Sequence, residues 1–278
     1  MMAKKRLTFK KLLPKVIFWA IIIITLILLL IPIYYMISSS LKTKVQMMDV
    51  KQFFVFKPTL KNYIKVFTTH DLMTPLCNSL IVSLGATGLA CLLGLPAAHS
   101  IARHNMHVMS AIILCVRIVP AVTFLVPWYM ILSKMGLVGT KAALILSNLL
   151  VLLPLIIWIV SPYFGSIPKD LEDAALVDGC TEAGAFIRVM IPLAVPGIIT
   201  AAILSFIHAW NNFMFAYVLG GSGTQTLPVA LKLFIGYTGI DMSGLMAAAV
   251  VVTMPVVIIS IVLQKYVVSG LTAGAVKG

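Results

Sequence analysis

Acid is scarce in this chain. Of 278 residues, eight are Asp or Glu, and five of these, Asp170, Glu172, Asp173, Asp178 and Glu182, crowd into one short stretch. Charged residues of either sign make up 10% of the chain, against roughly 25% in soluble domains. With 61% hydrophobic residues and a mean hydropathy of +1.08, the apolar surface cannot be hidden inside a water-facing globule. The sequence is that of an integral membrane protein. The net charge of +13 therefore does not point to nucleic acid. The basic residues mostly flank apolar runs, as topology signals and lipid-headgroup contacts do. No apolar run contains an acid, which argues against a proton-coupled carrier or a membrane enzyme built on carboxylates within its spans. The four cysteines, Cys77, Cys91, Cys115 and Cys180, form no CxxC pair, so a disulfide or metal site is not expected and small buried hydrophobes are. No GxxxxGK[ST] loop is present to cradle ATP phosphates.

What is present is a succession of long apolar runs. A basic head, residues 1–15, precedes the first run at about 16–37. That run is long and lacks a small-residue cleavage pattern, so a retained span is expected rather than a signal peptide. Five more follow at about 76–102, 108–132, 142–164, 196–219 and 245–268, and a tail at 269–278 ends the chain. A spanning helix needs roughly 20 apolar residues, and each run supplies them. Six spans place both termini on one side, and the dense basic head assigns that side to the cytoplasm. The charge bias elsewhere is weak: 11 basic residues fall in the inner segments and 9 in the outer ones. The expected fold class is all-α integral membrane, with six transmembrane helices.

The acidic stretch lies between the fourth and fifth runs, at 168–195. Pro168 suits a helix start, and Asp170, Glu172 and Asp173 in the first turn suit the positive helix end. Ala174, Ala175 and Gly179 give a small-residue surface that a partner can approach closely, and Pro192 closes the stretch. A helix too polar to span reads either as a dock for a basic groove or as a solvated connector with its acids in water.

The stretch resembles the cytoplasmic signature of importer-type ABC-transporter permeases, E-A-A, three residues, G, nine residues, I-x-L-P. Asp173-Ala174-Ala175, Gly179 and Val189-Met190-Ile191-Pro192 occupy it, with Asp173, Val189 and Ile191 in place of Glu, Ile and Leu. Asp has the shorter reach, and Glu172 beside it is positioned in sequence to share the role. "NYIKVF" (62–67), "NSLIVS" (78–83), "GLVGTKAALIL" (136–146), "WNNF" (210–213), "TLPVAL" (226–231) and the ending "GLTAGAVKG" are similar to the carbohydrate-uptake subgroup, in particular to permeases like the smaller subunit of maltose transporters. The resemblance implies a type I importer permease architecture and a multi-pass place in a bacterial cell membrane. It implies that Glu172, Asp173, Ala174, Ala175, Asp178, Gly179 and Pro192 form a coupling helix. The implied partners are a second permease, two cytoplasmic ATPases and an extracytoplasmic solute-binding protein. ATP and Mg would be held by the ATPases and no cofactor by this chain, whose tail reaches toward them. The same architecture serves other solutes, such as amino acids or phosphate; "TLPVAL" and the ending speak against those.

Five residues are candidates for a substrate path. Arg117 falls mid-span, with either a substrate or a hydrogen-bond hub including Asn148 as its partner. Trp210, Asn211 and Asn212 suit a sugar's ring and hydroxyls, and suit helix packing equally. The subgroup carries an acid at the position of Asn212, so a charge-based role is not carried over. His99, His104 and His107 bracket a short turn and are expected in solvent rather than on a metal.

Overall fold

The computed structural model describes residues 3–236 and 239–273, with side chains at 14–236 and 239–262. The expected tail at 269–278 lies beyond the described side chains and partly beyond the described backbone. Contacts divide the chain into two units, Met1–His70 with Leu233–Val251, and Asp71–Lys232 with Val252–Gly278.

In the first unit, α1 (Ala3–Ser40) is a single helix whose apolar residues from Val16 to Tyr35 are exposed, as befits a span that meets lipid or another chain. The carbonyls at and just beyond its C-terminus find a partner from α3 (Lys61–Thr68): Asn62 Nδ2 donates to the carbonyls of Ser40, 2.7 Å, and Lys42, 2.8 Å. This satisfies groups that a helix end otherwise leaves unpaired. Between them lies α2 (Lys44–Met48), started by a reciprocal Thr43–Gln46 capping box. Asp241 precedes the last helix (Met242–Ala273) and accepts from Lys65 Nζ at 2.7 Å and from the Gly244 N–H at 3.3 Å. Burial pushes the Asp241 carboxyl up, but Lys65, the Gly244 N–H and Lys44 outweigh it and hold the carboxyl below its ordinary value.

The second unit is a bundle around three long helices. α4 (Met73–Arg103), α7 (Lys141–Ser166) and a helix running from Glu182 to Trp210 pack on one another. Small residues set the approach: a side chain at Gly197 would collide with the Tyr163 ring, and one at Gly94 would press on Ile156. Ala90, Ala98, Ile156, Val160, Phe164, Met190 and Ala194 form the core. Cys77 and Cys115, expected inside, are exposed.

Two helical runs differ from the sequence reading. The third run is broken, not straight. α5 (His107–Ile118) and the stretch Ala121–Lys134, which includes α6 (Leu125–Lys134), meet at 88°. Val119 is extended because a residue before proline is pushed out of the helical region, and Pro120 follows at φ −58°, ψ 130°. The fifth run starts much earlier than 196. α9 (Glu182–Ala185), a π-helical turn at Phe186–Met190 and α10 (Ile191–Trp210) form one continuous rod through Pro192 and Pro196. It ends at Trp210, and Asn211–Phe213 separate it from α11 (Met214–Leu219). Thus 182–195, read as part of the connector, is the first half of a span-length helix. In the π turn the Ile191 N–H reaches the Phe186 carbonyl, so the wide turn falls immediately before Pro192, which has no N–H to give.

Several of the sequence motifs converge at one end of this bundle. Asn78 Nδ2 donates to the carbonyls of Gly223 and Gln225, both at 3.0 Å, and Ser79 Oγ accepts the Leu227 N–H at 2.7 Å. Thr224 Oγ1 donates to the Gly139 carbonyl at 3.0 Å, and the Gly139 N–H donates to the Leu219 carbonyl at 2.8 Å. "NSL", "GLVGT" and "TLP" therefore pin the Gly-rich loop 220–226.

Candidate functional site

The acidic stretch folds as α8 (Lys169–Val177), entered at Pro168, with Asp170 and Glu172 in its first turn. It ends in a two-bond cap: the Cys180 N–H reaches the Ala175 carbonyl at 2.9 Å and the Gly179 N–H reaches that of Leu176 at 3.0 Å. Gly179 sits at φ +88°, the left-handed region that this cap requires. Thr181 then starts α9 by accepting the Gly184 N–H at 3.1 Å.

Helical periodicity gives α8 two faces. Asp170, Asp173, Ala174, Val177 and Asp178 share the exposed one, with Val177 87% exposed. Ala175 and Glu172 point the other way, Ala175 being buried. Glu172, only 16% exposed, lies against Arg103 Nε and 3.0 Å from His99 Nε2. Neither contact has hydrogen-bond geometry; the Arg103 contact is an ion pair, and the His99 contact is one only when the imidazole is protonated. From its place beside Asp173 in the sequence, Glu172 is expected to share that residue's outward role. Adjacent residues on a helix lie about 100° apart, and the structure turns Glu172 inward. His99 is likewise not in solvent: it lies between the rings of Phe164 and Phe186, at 5.3 and 5.0 Å. His104 and His107 are exposed, as read. Pro192 is exposed on the rod beyond the π turn. A pocket of about 990 Å³ opens between α4 and α8–α9, lined by Leu92, Leu95, Arg103, Lys169, Asp173 and Phe186 among others.

The five path candidates separate. Trp210 is buried, stacks on Phe206 and donates its indole N–H to the Val252 carbonyl at 3.0 Å. It holds helices together. Asn148 is buried and donates to the Leu144 carbonyl at 2.8 Å, while its oxygen accepts from Asn212 Nδ2 at 3.0 Å. Asn212 in turn accepts the Phe215 N–H at 3.1 Å, so the two amides knit the break after α10 to α7. Asn211 and Arg117 are exposed, and the Arg117 guanidinium lies over the Trp158 ring at 4.3 Å. Arg117 and Asn148 do not form one hub. Among the described residues no group of three or more His, Cys, Asp or Glu is placed to hold a metal ion.

Residues 72–273 match the family described as binding-protein-dependent transport system inner membrane component. The chain belongs to this family. The inner-membrane component is 38% identical over 255 residues to the sulfoquinovosyl glycerol transport system permease protein of Agrobacterium fabrum (strain C58 / ATCC 33970), covering 90% of this chain and 89% of the relative. It is 36% identical over 255 residues to the trehalose transport system permease protein of Mycobacterium tuberculosis (strain CDC 1551 / Oshkosh), covering 90% and 93%. In fold it is similar to a chain of a bacterial ABC transporter involved in the import of the acidic polysaccharide alginate, with a TM-score of 0.81 over 92% of this chain and 97% of that one, at 21% identity. As a member of the family it is a membrane-spanning transporter component, and the matched stretch includes α8, the rod and the pinned loop.

Proposed function

We propose that this permease is one of two membrane subunits of an ATP-driven carbohydrate importer, and that α8 is the surface through which it feels its ATPase. The observation that carries the reading is the division of α8: an acidic outer face free for a partner, an inner face tied to the bundle, and a glycine cap that turns the chain into the rod. ATP and Mg belong to the ATPase subunits, since this sequence has no phosphate loop. The solute-binding protein delivers substrate on the opposite side, where the basic head and span count place the 220–226 loop. Both ends of this chain and α8 then face the cytoplasm. Relatives named for a sulfosugar glycoside and for trehalose support a carbohydrate as the solute. Alternating access follows if approach of the ATPases biases the bundle between outward-open and inward-open states. Arg117 and Asn211 remain the residues available to line the path.

The test is co-purification of the ATPase with substrate-stimulated ATP hydrolysis. Asp173→Lys is expected to weaken assembly more than Asp173→Asn, because reversal adds repulsion to a lost attraction. Lys134, exposed and far along the chain from α8, serves as a control position. If Asp173→Lys assembles and hydrolyses ATP like the parent, the outer face of α8 merely meets water and the docking role fails.

A further inference from the structure

Arg103 ends α4 with its side chain 10% exposed. A guanidinium offers five donors in a rigid planar fork, and here the fork is divided among elements. Nε lies against Glu172 of α8. Nη1 donates to the carbonyl of Ile167, the residue that ends α7, at 3.2 Å. Nη2 lies 3.2 Å from the sulfur of Met190, in the π turn at the base of the rod. His99, one turn earlier on α4, flanks the other carboxylate oxygen and is wedged between Phe164 of α7 and Phe186 of the π turn.

We propose that Arg103 is the positioning residue of the coupling segment: paired with Glu172, it fastens α8 to α4, α7 and the rod, so that a push on the outer face of α8 moves three spans together. Two further observations support this. The apolar grip of α8 on the bundle is limited: Ala175 is its buried residue, with Leu171 45% and Leu176 39% exposed. And the roughly 990 Å³ pocket lies between α8–α9 and α4, so packing does not clamp the segment along that side. Beside the chain connections at its two ends, the ion pair and its flanking imidazole join the inner face of α8 to the spans. The two side chains of the pair are only 10% and 16% exposed, and this partial withdrawal from water strengthens the pair and makes the loss of one partner costly. This inference rests on the reading of α8 as the ATPase-facing helix, but concerns its inner face.

The experiment uses the full transporter with its ATPases and binding protein in vesicles, and reads two quantities: ATPase retained on purification, and substrate imported per ATP hydrolysed. Arg103→Ala and Glu172→Gln should keep the ATPase bound and hydrolysing while import per ATP falls by about tenfold, the factor of a coupling free energy near 1.4 kcal/mol. Arg103→Lys should keep part of the ratio, since an ammonium can meet Glu172 but cannot also span to the Ile167 carbonyl. Exchanging the charges, Arg103→Glu with Glu172→Arg, should recover import relative to Arg103→Glu alone. Lys134→Ala, exposed and remote in sequence from α8, should leave the ratio unchanged. An unchanged ratio in Glu172→Gln overturns the proposal, and does so even if Arg103→Ala is lost from the membrane. Failure of the exchange to recover any import overturns it too. An Asp173→Lys variant that assembles normally would instead overturn the docking of the outer face, so the two failures are distinguishable.

Discussion

At the scale of single residues, the chain isolates a few polar groups and makes each answer for several elements. Gly179 is the clearest conformational case. A methyl group built there would touch nothing within 4 Å, yet φ is +88°. Its necessity within this chain is therefore backbone geometry, not space. Gly179→Ala should cost about 1–2 kcal/mol of local stability from the left-handed conformation, and Gly179→Asn less, because Asn tolerates that region. If α8 docks closely on an ATPase, Asn at 179 should nonetheless impair ATPase co-purification while thermal stability in detergent stays near the parent's. Full retention of the ATPase by Gly179→Asn would leave the cap as the whole reason for glycine. The motif spacing marked Asp173 and Gly179 in the sequence. It did not mark Arg103, whose partner lies 69 positions away, nor the inward turn of Glu172, which the helix period of α8 taken alone would have revealed. Trp210 and Asn148 looked like sugar-binding chemistry because indoles and amides serve packing and recognition with the same atoms; only their observed partners decide.

At the scale of elements, length and apolarity made five helices legible, because a run of some 20 apolar residues has few alternatives. The boundaries were less legible. Pro192 and Pro196 suggested a late start for the fifth span, but the π turn accommodates Pro192 and the helix passes through both. Pro120, by contrast, does break its run, because Val119 before it is extended and the chain re-enters the helix through a 3₁₀ turn. Composition does not distinguish these prolines; what surrounds each backbone does. The pinned loop 220–226 offers a test at this scale. Asn78 satisfies two carbonyls of that loop with one amide. Asn78→Ala leaves both unpaired, at about 1–3 kcal/mol for the group lost. Hydrogen exchange in nanodiscs should then rise at 220–226 and remain at parent values in α7. Unaltered protection of the loop would mean that the Gly139 contacts hold it alone.

At the scale of the whole molecule, the expected topology places Lys44–Met48 outside and α8 inside. Met48 and Val177 are both strongly exposed, at 85% and 87%, and make suitable reporters. With Cys77, Cys91, Cys115 and Cys180 replaced, an impermeant thiol reagent on intact cells should label Met48→Cys and not Val177→Cys. The reverse pattern would invert the chain in the membrane and remove α8 from any cytoplasmic partner.

The π turn between α9 and α10 has one more consequence. Its bond from Ile191 to Phe186 spans five residues where an α-helical bond spans four, so the turn carries one supernumerary residue. Removing a single residue from 186–190 can convert the bulge to ordinary helix while α9 and α10 keep their facing. A deletion elsewhere in the rod would swivel everything beyond it by about 100°. The rod thus holds, at the point where the polar connector becomes a span, a spare length of chain that can be lost without changing which side faces the core.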